Sequence, residues 1–345
     1  MTASVPGYCL RRALILAVLL LSIPAIAHAD LLLLVGEPFG SFGTMMPSGH
    51  TAIYLDRVCA NGPLQLRMCR AGEQPGVVLA RYHAIGRYDW LAVPVMDYLF
   101  ATDRMEDVPR YTTPAAVWAL REKFRQRYLR AIVPDGMQGK ESGEGISMGG
   151  GSLEEWWESA GAAYDRRIWA YQVATTPAED EHLVAVMNAD RNLHRYQLRK
   201  NNCADFAADL VNLYFPGAVH RDRIADFGLM SPKQVARCLT EYASSRPELR
   251  LRKWEIPQAP GSLRRSRPVR CAAEAGLTTK RYLFTLIAIQ PEVPVALTVL
   301  YLWHGRWKVG EGAEPMPGFP YELASHGAET SGAENSARGA ESNLR

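Results

Sequence analysis

The segment that most constrains the fold is 201–206, Asn-Asn-Cys-Ala-Asp-Phe, together with the apolar run that follows it. Asn202 is a preferred N-cap residue and Asp205 brings negative charge into a first turn, so the pattern predicts a helix that begins at Cys203. Apolar residues recur at helical spacing until Pro216 ends the run. A thiol at a helix N-terminus faces unpaired backbone N–H groups and the positive end of the dipole, which favour the thiolate. Cys203 is therefore predicted to be a nucleophile.

A cysteine nucleophile needs a base, and the segment 49–55, Gly-His-Thr-Ala-Ile-Tyr-Leu, offers one. Its alternating pattern is typical of a short strand, with His50 at the start. The alternative interpretation is that His50 is an ordinary strand-end histidine and Cys203 a small buried residue of the core.

The first 29 residues are typical of an export signal. Arg11 and Arg12 precede an apolar run over 13–26, and Ala-His-Ala at 27–29 has the small-x-small form of a cleavage site before Asp30. We expect a mature protein in the periplasm or cell envelope, with inner-membrane association as a further option. The alternative is an uncleaved N-terminal anchor.

Composition excludes some classes of function. The net charge of +3 falls to +1 without the two arginines of the signal, so the chain carries no nucleic-acid-binding footprint. No Cys-x-x-Cys pair is present, which argues against a structural zinc site. We predict no metal and no cofactor.

Export makes the cysteines informative, because an odd number in an oxidising compartment leaves at least one thiol unpaired. Without Cys9, five remain: Cys59, Cys69, Cys203, Cys238 and Cys271. Cys59 and Cys69 flank a turn, so we expect a bridge between neighbouring strands, a second bridge between Cys238 and Cys271, and a free Cys203. The alternative is that all five are reduced.

Short strands and helices share the rest of the chain. Strand patterns cover 31–35, 50–56, 64–69, 77–82, 88–94, 193–198 and 249–256. Helix patterns, three of them with Ser or Thr caps, cover 114–132, a short stretch near 153–157, 176–189 and 231–243. Consecutive short strands imply an antiparallel sheet. The glycine-rich stretch 135–151 is predicted to be a mobile loop, acting as a lid or present as a plain disordered insertion.

The apolar segment 282–303 has two interpretations. Basic residues flank it and aromatic residues lie near its ends, as in a membrane span, but Gln290, Glu292 and two prolines interrupt its centre. A kinked membrane helix or hairpin and a pair of buried strands remain open. We place it within a C-terminal region 231–309, after a main domain 30–230, and expect the Gly, Ala, Glu and Ser-rich tail 310–345 to be disordered.

The motifs Gly-His-x-x-Ile-Tyr-Leu and Asn-Cys-x-Asp-Phe, in that order, resemble the circularly permuted papain-like superfamily. That superfamily includes lecithin:retinol acyltransferase-like enzymes and permuted relatives of NlpC-type cell-wall peptidases. The chain looks most similar to exported bacterial envelope proteins of the lipoprotein N-acyltransferase type, over roughly residues 40–220. The resemblance implies an α+β fold in which an antiparallel sheet packs against a helix that carries the nucleophilic cysteine.

In this superfamily the base comes from the first strand and a third polar residue on the adjacent strand orients the imidazole. His50 and Cys203 match the first two roles. Arg67, Glu73 and His83 are candidates for the third, and we prefer Glu73 because a carboxylate accepts the other imidazole N–H.

The resemblance and the paired motifs predict an exported cysteine-dependent acyltransferase or hydrolase. Cys203 would form a thioester with envelope lipid or lipoprotein acyl groups, and 282–303 would contact the membrane. A cell-wall peptide amidase or peptidase acting on peptidoglycan is the alternative enzyme. A non-catalytic envelope protein that binds peptide, glycan or lipid is the alternative from another class.

Overall fold

The computed structural model describes residues 29–40, 48–73, 76–85, 87–133, 155–193, 195–222, 226–278, 280–290, 292–302 and 306–318. The predicted signal, apart from Ala29, and the whole glycine-rich stretch 135–151 lie outside these ranges. So do residues 319–345 of the predicted tail.

A seven-stranded sheet organises the fold. Its strands are β1 (Ala29–Gly36), β2 (His50–Leu55), β5 (Val77–Ile85), β6 (Tyr88–Pro94), β7 (Ile168–Thr175), β8 (Arg252–Ile256) and β9 (Glu314–Pro315), and a separate hairpin pairs β3 (Val58–Ala60) with β4 (Leu66–Met68). The order across the sheet is β6-β5-β2-β1-β7-β8-β9. All neighbours run antiparallel except β8 and β9. The predicted mixed α and β fold with a mostly antiparallel sheet is confirmed.

The helices cover both faces of this sheet and the C-terminal end of the chain. They are α1 (Val95–Phe100), α2 (Pro114–Phe124), α3 (Ala162–Asp165), α4 (Pro177–Ala189), α5 (Cys203–Tyr214), α6 (Pro232–Ser244), α7 (Ala272–Thr278), α8 (Lys280–Ile289) and α9 (Glu292–Leu300), with short 3-10 turns at Met105–Asp107, Glu155–Ser159 and Pro247–Leu249. Thr113, Thr176 and Ser231 cap α2, α4 and α6 through side-chain oxygens that accept backbone N–H bonds, as the sequence predicts.

The central strand β1 is apolar on both sides because both sides of the sheet are covered. Leu31, Leu33 and Val35 belong to the core that contains α5 and α6. Leu32 and Leu34 belong to a second core on the other face, with residues of α1, α2 and α3. An uninterrupted apolar run is what a strand buried on both faces requires.

One strand prediction was wrong, and one strand was missed. None of the described residues of 193–198 lies in a strand, since Leu193 and Gln197 take part only in isolated bridges. Instead the sheet uses β7, which pairs with β1 over its whole length and which the sequence analysis did not find. β7 carries large side chains such as Trp169 and Tyr171, so its β-forming composition was a usable signal.

The apolar segment 282–303 falls in two helices rather than two strands. α8 ends at Ile289 and α9 begins at Glu292. α7 and α9 pack around Cys271, Ala273 and Leu297. None of the helices formed by the described residues has the length and apolar character needed to cross a bilayer.

The C-terminal region joins the main sheet. β8 lies beside β7, and β9, within the predicted tail, pairs with β8. Residues on both sides of position 230 therefore contribute to a single sheet.

Candidate functional site

The helix that carries Cys203 begins where the sequence predicts. The Asn202 side chain accepts hydrogen bonds from the backbone N–H groups of Ala204, at 2.8 Å, and Asp205, at 2.9 Å. The Asp205 carboxylate accepts one from the Asn202 N–H at 3.0 Å, which completes a reciprocal capping box. Cys203 is thus held at a well-formed helix N-terminus.

A buried arginine secures the chain just before this helix. Arg81 donates to the Asn201 side chain at 2.7 Å and pairs with Asp89 at 2.7 Å, while its guanidinium lies 4.9 Å from the centre of the Phe206 ring. Since Arg81 belongs to β5, these contacts fix the start of α5 against the sheet.

The Cys203 sulfur lies in an enclosed place. Cys203 is free and 9% exposed. Burial raises the pKa of the thiol, and the backbone N–H and hydroxyl of Thr51 oppose this by lowering the pKa. The hydroxyl nevertheless makes no hydrogen bond of normal geometry. Contrary to our expectation of a preformed thiolate, desolvation outweighs the helix N-terminus, because the charged form has lost its water.

His50 is the first residue of β2 and lies opposite Gly36 of β1. Gly49, which precedes it, has φ +77°, and a Cβ there would lie 2.2 Å from the Gly36 carbonyl oxygen, so only glycine fits. The His50 ring stacks on Tyr82 of β5, with 5.2 Å between ring centres. Its Nε2 is buried without a hydrogen-bond partner.

The electrostatic state of His50 follows from this enclosure. Desolvation, and after it the charge of Arg166, lower the pKa of His50 to about 3. The imidazole is therefore neutral at pH 7.

Arg166 connects these groups. It lies two residues before β7, and its charge acts on the pKa of His50, of Cys203 and of the tyrosines at 82 and 98. β1 ends where β2 and β7 begin, so the cluster lies at one end of the sheet. His50 and Cys203 thus share one electrostatic neighbourhood, but among the described residues no hydrogen bond joins the imidazole to the sulfur.

The predicted third residue, Glu73, interacts elsewhere. Its two carboxylate oxygens accept from Arg67 at 2.7 and 3.0 Å, and one also accepts from the Arg70 N–H at 2.8 Å. These bonds lower the pKa of the Glu73 carboxyl. The turn after β4 brings Arg67 and Glu73 together, and this ion pair uses both side chains.

The remaining candidate, His83, is exposed and its ring meets the edge of Tyr196 at 5.1 Å between centres. The polar residue of the adjacent strand that contacts His50 is Tyr82. Sequence reasoning missed Tyr82, although the alternation of strand side chains separates it from its neighbours Arg81 and His83. It also missed Arg166, for which the sequence offers only its position before a β-rich segment.

Of the two predicted disulfides, one forms and the other does not. Cys59 and Cys69 form a disulfide between the strands of the β3–β4 hairpin, as predicted. The predicted Cys238–Cys271 bridge is wrong, since both thiols are free and buried. Cys238 lies in α6 and donates to the His220 carbonyl, whereas Cys271 packs against α7 and α9.

Within the part of the chain that the structure describes, no cluster of three or more His, Cys, Asp or Glu side chains is placed to hold a metal ion. Comparison with protein-family models, with curated proteins and with solved structures gives no match. The functional argument therefore rests on the residues of this chain.

Proposed function

We propose that the protein is an exported cysteine-dependent acyltransferase or hydrolase of the cell envelope, with Cys203 as nucleophile and His50 as base. The observation that carries this proposal is a free thiol at a capped helix N-terminus, surrounded by buried polar atoms that lack partners. Those atoms are the His50 Nε2, the Tyr82 hydroxyl and the Arg166 Nε. Buried polar groups are almost always hydrogen bonded, and exceptions collected in one place are typical of a site that awaits a ligand.

The chemistry starts from two neutral groups. As the sulfur attacks an ester or amide carbonyl, His50 takes the thiol proton, so proton transfer accompanies bond formation rather than preceding it. A thioester forms and the leaving group departs with the proton from the imidazole. Water or an amine then accepts the acyl group. The backbone N–H of Cys203 is suited to stabilise the oxyanion, since the N–H groups of Ala204 and Asp205 are bonded to the Asn202 side chain.

The C-terminal hairpin formed by α8 and α9 supports a lipid substrate. The two helices and the residues just after them expose large apolar side chains, namely Phe284, Ile287, Ile289, Val295, Val299 and Leu302. Arg306 and Lys308 follow the hairpin. Short helices with exposed apolar side chains and nearby basic residues are suited to lie in a membrane interface. We therefore place the protein in the periplasm or envelope, at a membrane surface.

A permuted papain-like core belongs to the same proposal. It is supported by an antiparallel sheet that packs against α5, whose first residue is the cysteine, and by a histidine at the first residue of a neighbouring strand. Acyl groups of envelope lipids or lipoproteins are the preferred substrates, and peptidoglycan peptides are the competing class.

Substitution of the proposed pair tests the function. Cys203→Ala and His50→Ala should each abolish acyl transfer or hydrolysis, and the double variant should be little worse than either, because the two residues act as a unit. Cys203→Ser should be nearly inactive, since a hydroxyl is far harder to deprotonate than a thiol. Cys238→Ala, which removes another buried free thiol, is the matched control and should retain activity.

Turnover should be measured on envelope lipids and on wall peptides, with variants of matched thermal stability. Full activity of Cys203→Ala would exclude Cys203 as the nucleophile, and no turnover of either substrate class by the wild type would leave a non-catalytic binding protein. Activity on wall peptides alone would transfer the proposal to the peptidase class.

A further inference from the structure

Arg166 is a buried arginine without an acidic partner. It is 5% exposed and its Nε is buried with no hydrogen-bond partner. None of the ion pairs formed between described residues includes it. By contrast Arg81, Arg121 and Arg125, equally buried, each pair with a carboxylate. A buried unpaired charge is costly, so a function is the reason to retain it.

The fold provides a specific seat for this side chain. A Cβ on Gly36 would lie 2.6 Å from the Arg166 Cδ, so the arginine passes over the glycine where β1 ends. The guanidinium lies 4.2 Å from the centre of the Phe39 ring, which in turn meets the edge of Trp157. This cation–π contact offsets part of the desolvation and leaves the N–H groups without an acceptor.

A second unpaired donor belongs to the same cluster. The Tyr82 hydroxyl is buried, has no hydrogen-bond partner and lies within electrostatic range of Arg166. The carboxylate of Glu158 also acts on Tyr82 and Cys203, but it has contacts of its own. The cluster therefore offers two donors without a matching acceptor, one from strand β5 and one from the turn before β7.

We propose that Arg166 and Tyr82 form a subsite for a phosphate-class oxyanion that the substrate carries beside the acyl group attacked by Cys203. The inference rests on the proposed function, because it places the anion next to the reacting carbonyl. Guanidinium N–H groups match phosphate oxygens in a two-bond arrangement. A planar carboxylate satisfies the arginine alone, whereas the oxygens of a tetrahedral phosphate also reach a hydroxyl on strand β5.

Binding of inorganic phosphate to the full mature chain with Cys203→Ala tests the subsite without turnover. Isothermal titration should show saturable binding that weakens by about tenfold or more in Arg166→Met, since charge-assisted bonds of this kind contribute about 1.4 kcal/mol or more. Gly36→Ala, which occupies the seat of the arginine, should weaken binding as well. Arg167→Met is the matched control, because Arg167 is exposed and pairs with Glu255, and it should leave the affinity unchanged.

Vesicles distinguish the sources of the anion. Preference for phosphatidylglycerol over phosphate-free monoolein vesicles, lost in Arg166→Met, would identify a lipid headgroup, and saturable binding of inorganic phosphate alone would identify a soluble phosphate compound. No binding in either arm, or equal binding by Arg166→Met, would overturn the subsite. Displacement of phosphate by acetate at equal concentration would also overturn the subsite, because it would show no preference for a tetrahedral anion.

Folding failure and failure of the proposed function can be told apart. If Arg166→Met does not fold, Tyr82→Phe and Gly36→Ala decide the question with the same titrations. Phosphate binding without any Cys203-dependent turnover would contradict the proposed enzyme and support the subsite. Cys203-dependent turnover without phosphate binding would contradict the subsite and support the enzyme.

Discussion

Two buried arginines lie near the start of the Cys203 helix and differ in their partners. Arg81 and Arg166 are each 5% exposed. Arg81 pairs with the Asp89 carboxylate, donates to Asn201 and lies over the Phe206 ring, although its Nε, like that of Arg166, has no hydrogen-bond partner. Arg166 has the Phe39 ring beneath it and no carboxylate.

The presence or absence of a carboxylate partner separates the structural charge of Arg81 from the functional charge that we propose for Arg166. The pair of Arg81 and Asp89 connects β5, β6 and the chain before Cys203. Its removal would therefore weaken the packing that holds the start of α5 against the sheet. Arg166 contributes no such connection, yet its charge reaches His50 and Cys203. In the subsite that we propose, a bound oxyanion supplies the rest of the compensation for the Arg166 charge.

The largest expected effect is on stability. Arg81→Met should lower the free energy of unfolding by about 3 kcal/mol, because it leaves the buried Asp89 carboxylate without its main partner. Arg166→Met should change it by less than about 1 kcal/mol in either direction, since no partner is abandoned. Urea unfolding of the two variants measures the contrast. Equal losses would mean that Arg166 is a structural residue.

The second prediction concerns acid stability. The pKa of His50 is about 3 in the folded protein and near 6.5 in an unfolded chain. Between these values only the unfolded chain takes the proton, so the His50 contribution to stability is present above pH 6.5 and is lost as the pH falls towards 3. His50→Gln should flatten this part of the stability profile relative to the wild type.

Replacement of an exposed strand histidine provides the control for that experiment. His83→Gln should leave the slope between pH 6.5 and 3 as it is in the wild type. An unchanged slope in His50→Gln would show that the imidazole is not enclosed in the folded protein in solution.

The third prediction concerns the thiol. Because burial raises the pKa of Cys203, alkylation by iodoacetamide should rise with a midpoint above the usual value for a cysteine. Thr51→Val should move the midpoint further up, since the hydroxyl lowers the pKa. Peptide mass spectrometry separates Cys203 from the other two free thiols. A midpoint below pH 7 would restore the preformed thiolate.

The smallest effect is expected at Glu73. Its ion pair with Arg67 is solvent-exposed, so Glu73→Gln should leave the urea midpoint and the turnover close to those of the wild type. Tyr82→Phe, at the residue that contacts the imidazole, should alter turnover. A large loss of activity in Glu73→Gln with Tyr82→Phe unaffected would return the orienting role to the carboxylate.

Local signals in the sequence were reliable where the interacting groups are neighbours in the chain. The Asn202 capping box and the Thr176 cap involve residues three positions apart. The Cys59–Cys69 bridge closes a single hairpin. Such contacts cost little chain entropy, so residue type and spacing are enough to predict them.

Long-range contacts were missed for the complementary reason. β7 pairs with β1 although more than 100 positions separate them in the chain, and the composition of neither strand indicates which strand it pairs with. The sequence favours Glu73 as the residue that orients His50, but in the structure its carboxylate pairs with Arg67. Residue types alone do not show which carboxylate is already paired with a cation. Nothing in the sequence around Arg166 marks it as a site residue. Its burial against Gly36 and Phe39 becomes visible only in the tertiary structure.

The sequence by itself determined that a helix starts at Cys203, that a strand starts at His50, and that short antiparallel strands dominate the first part of the chain. Only the tertiary structure decided the charge state of the two residues. The helix N-terminus alone would lower the pKa of the thiol, but enclosure between the sheet and its surroundings removes water from both groups and favours their neutral forms. Desolvation depends on everything packed around an atom, and that information appears only when distant segments of the chain meet.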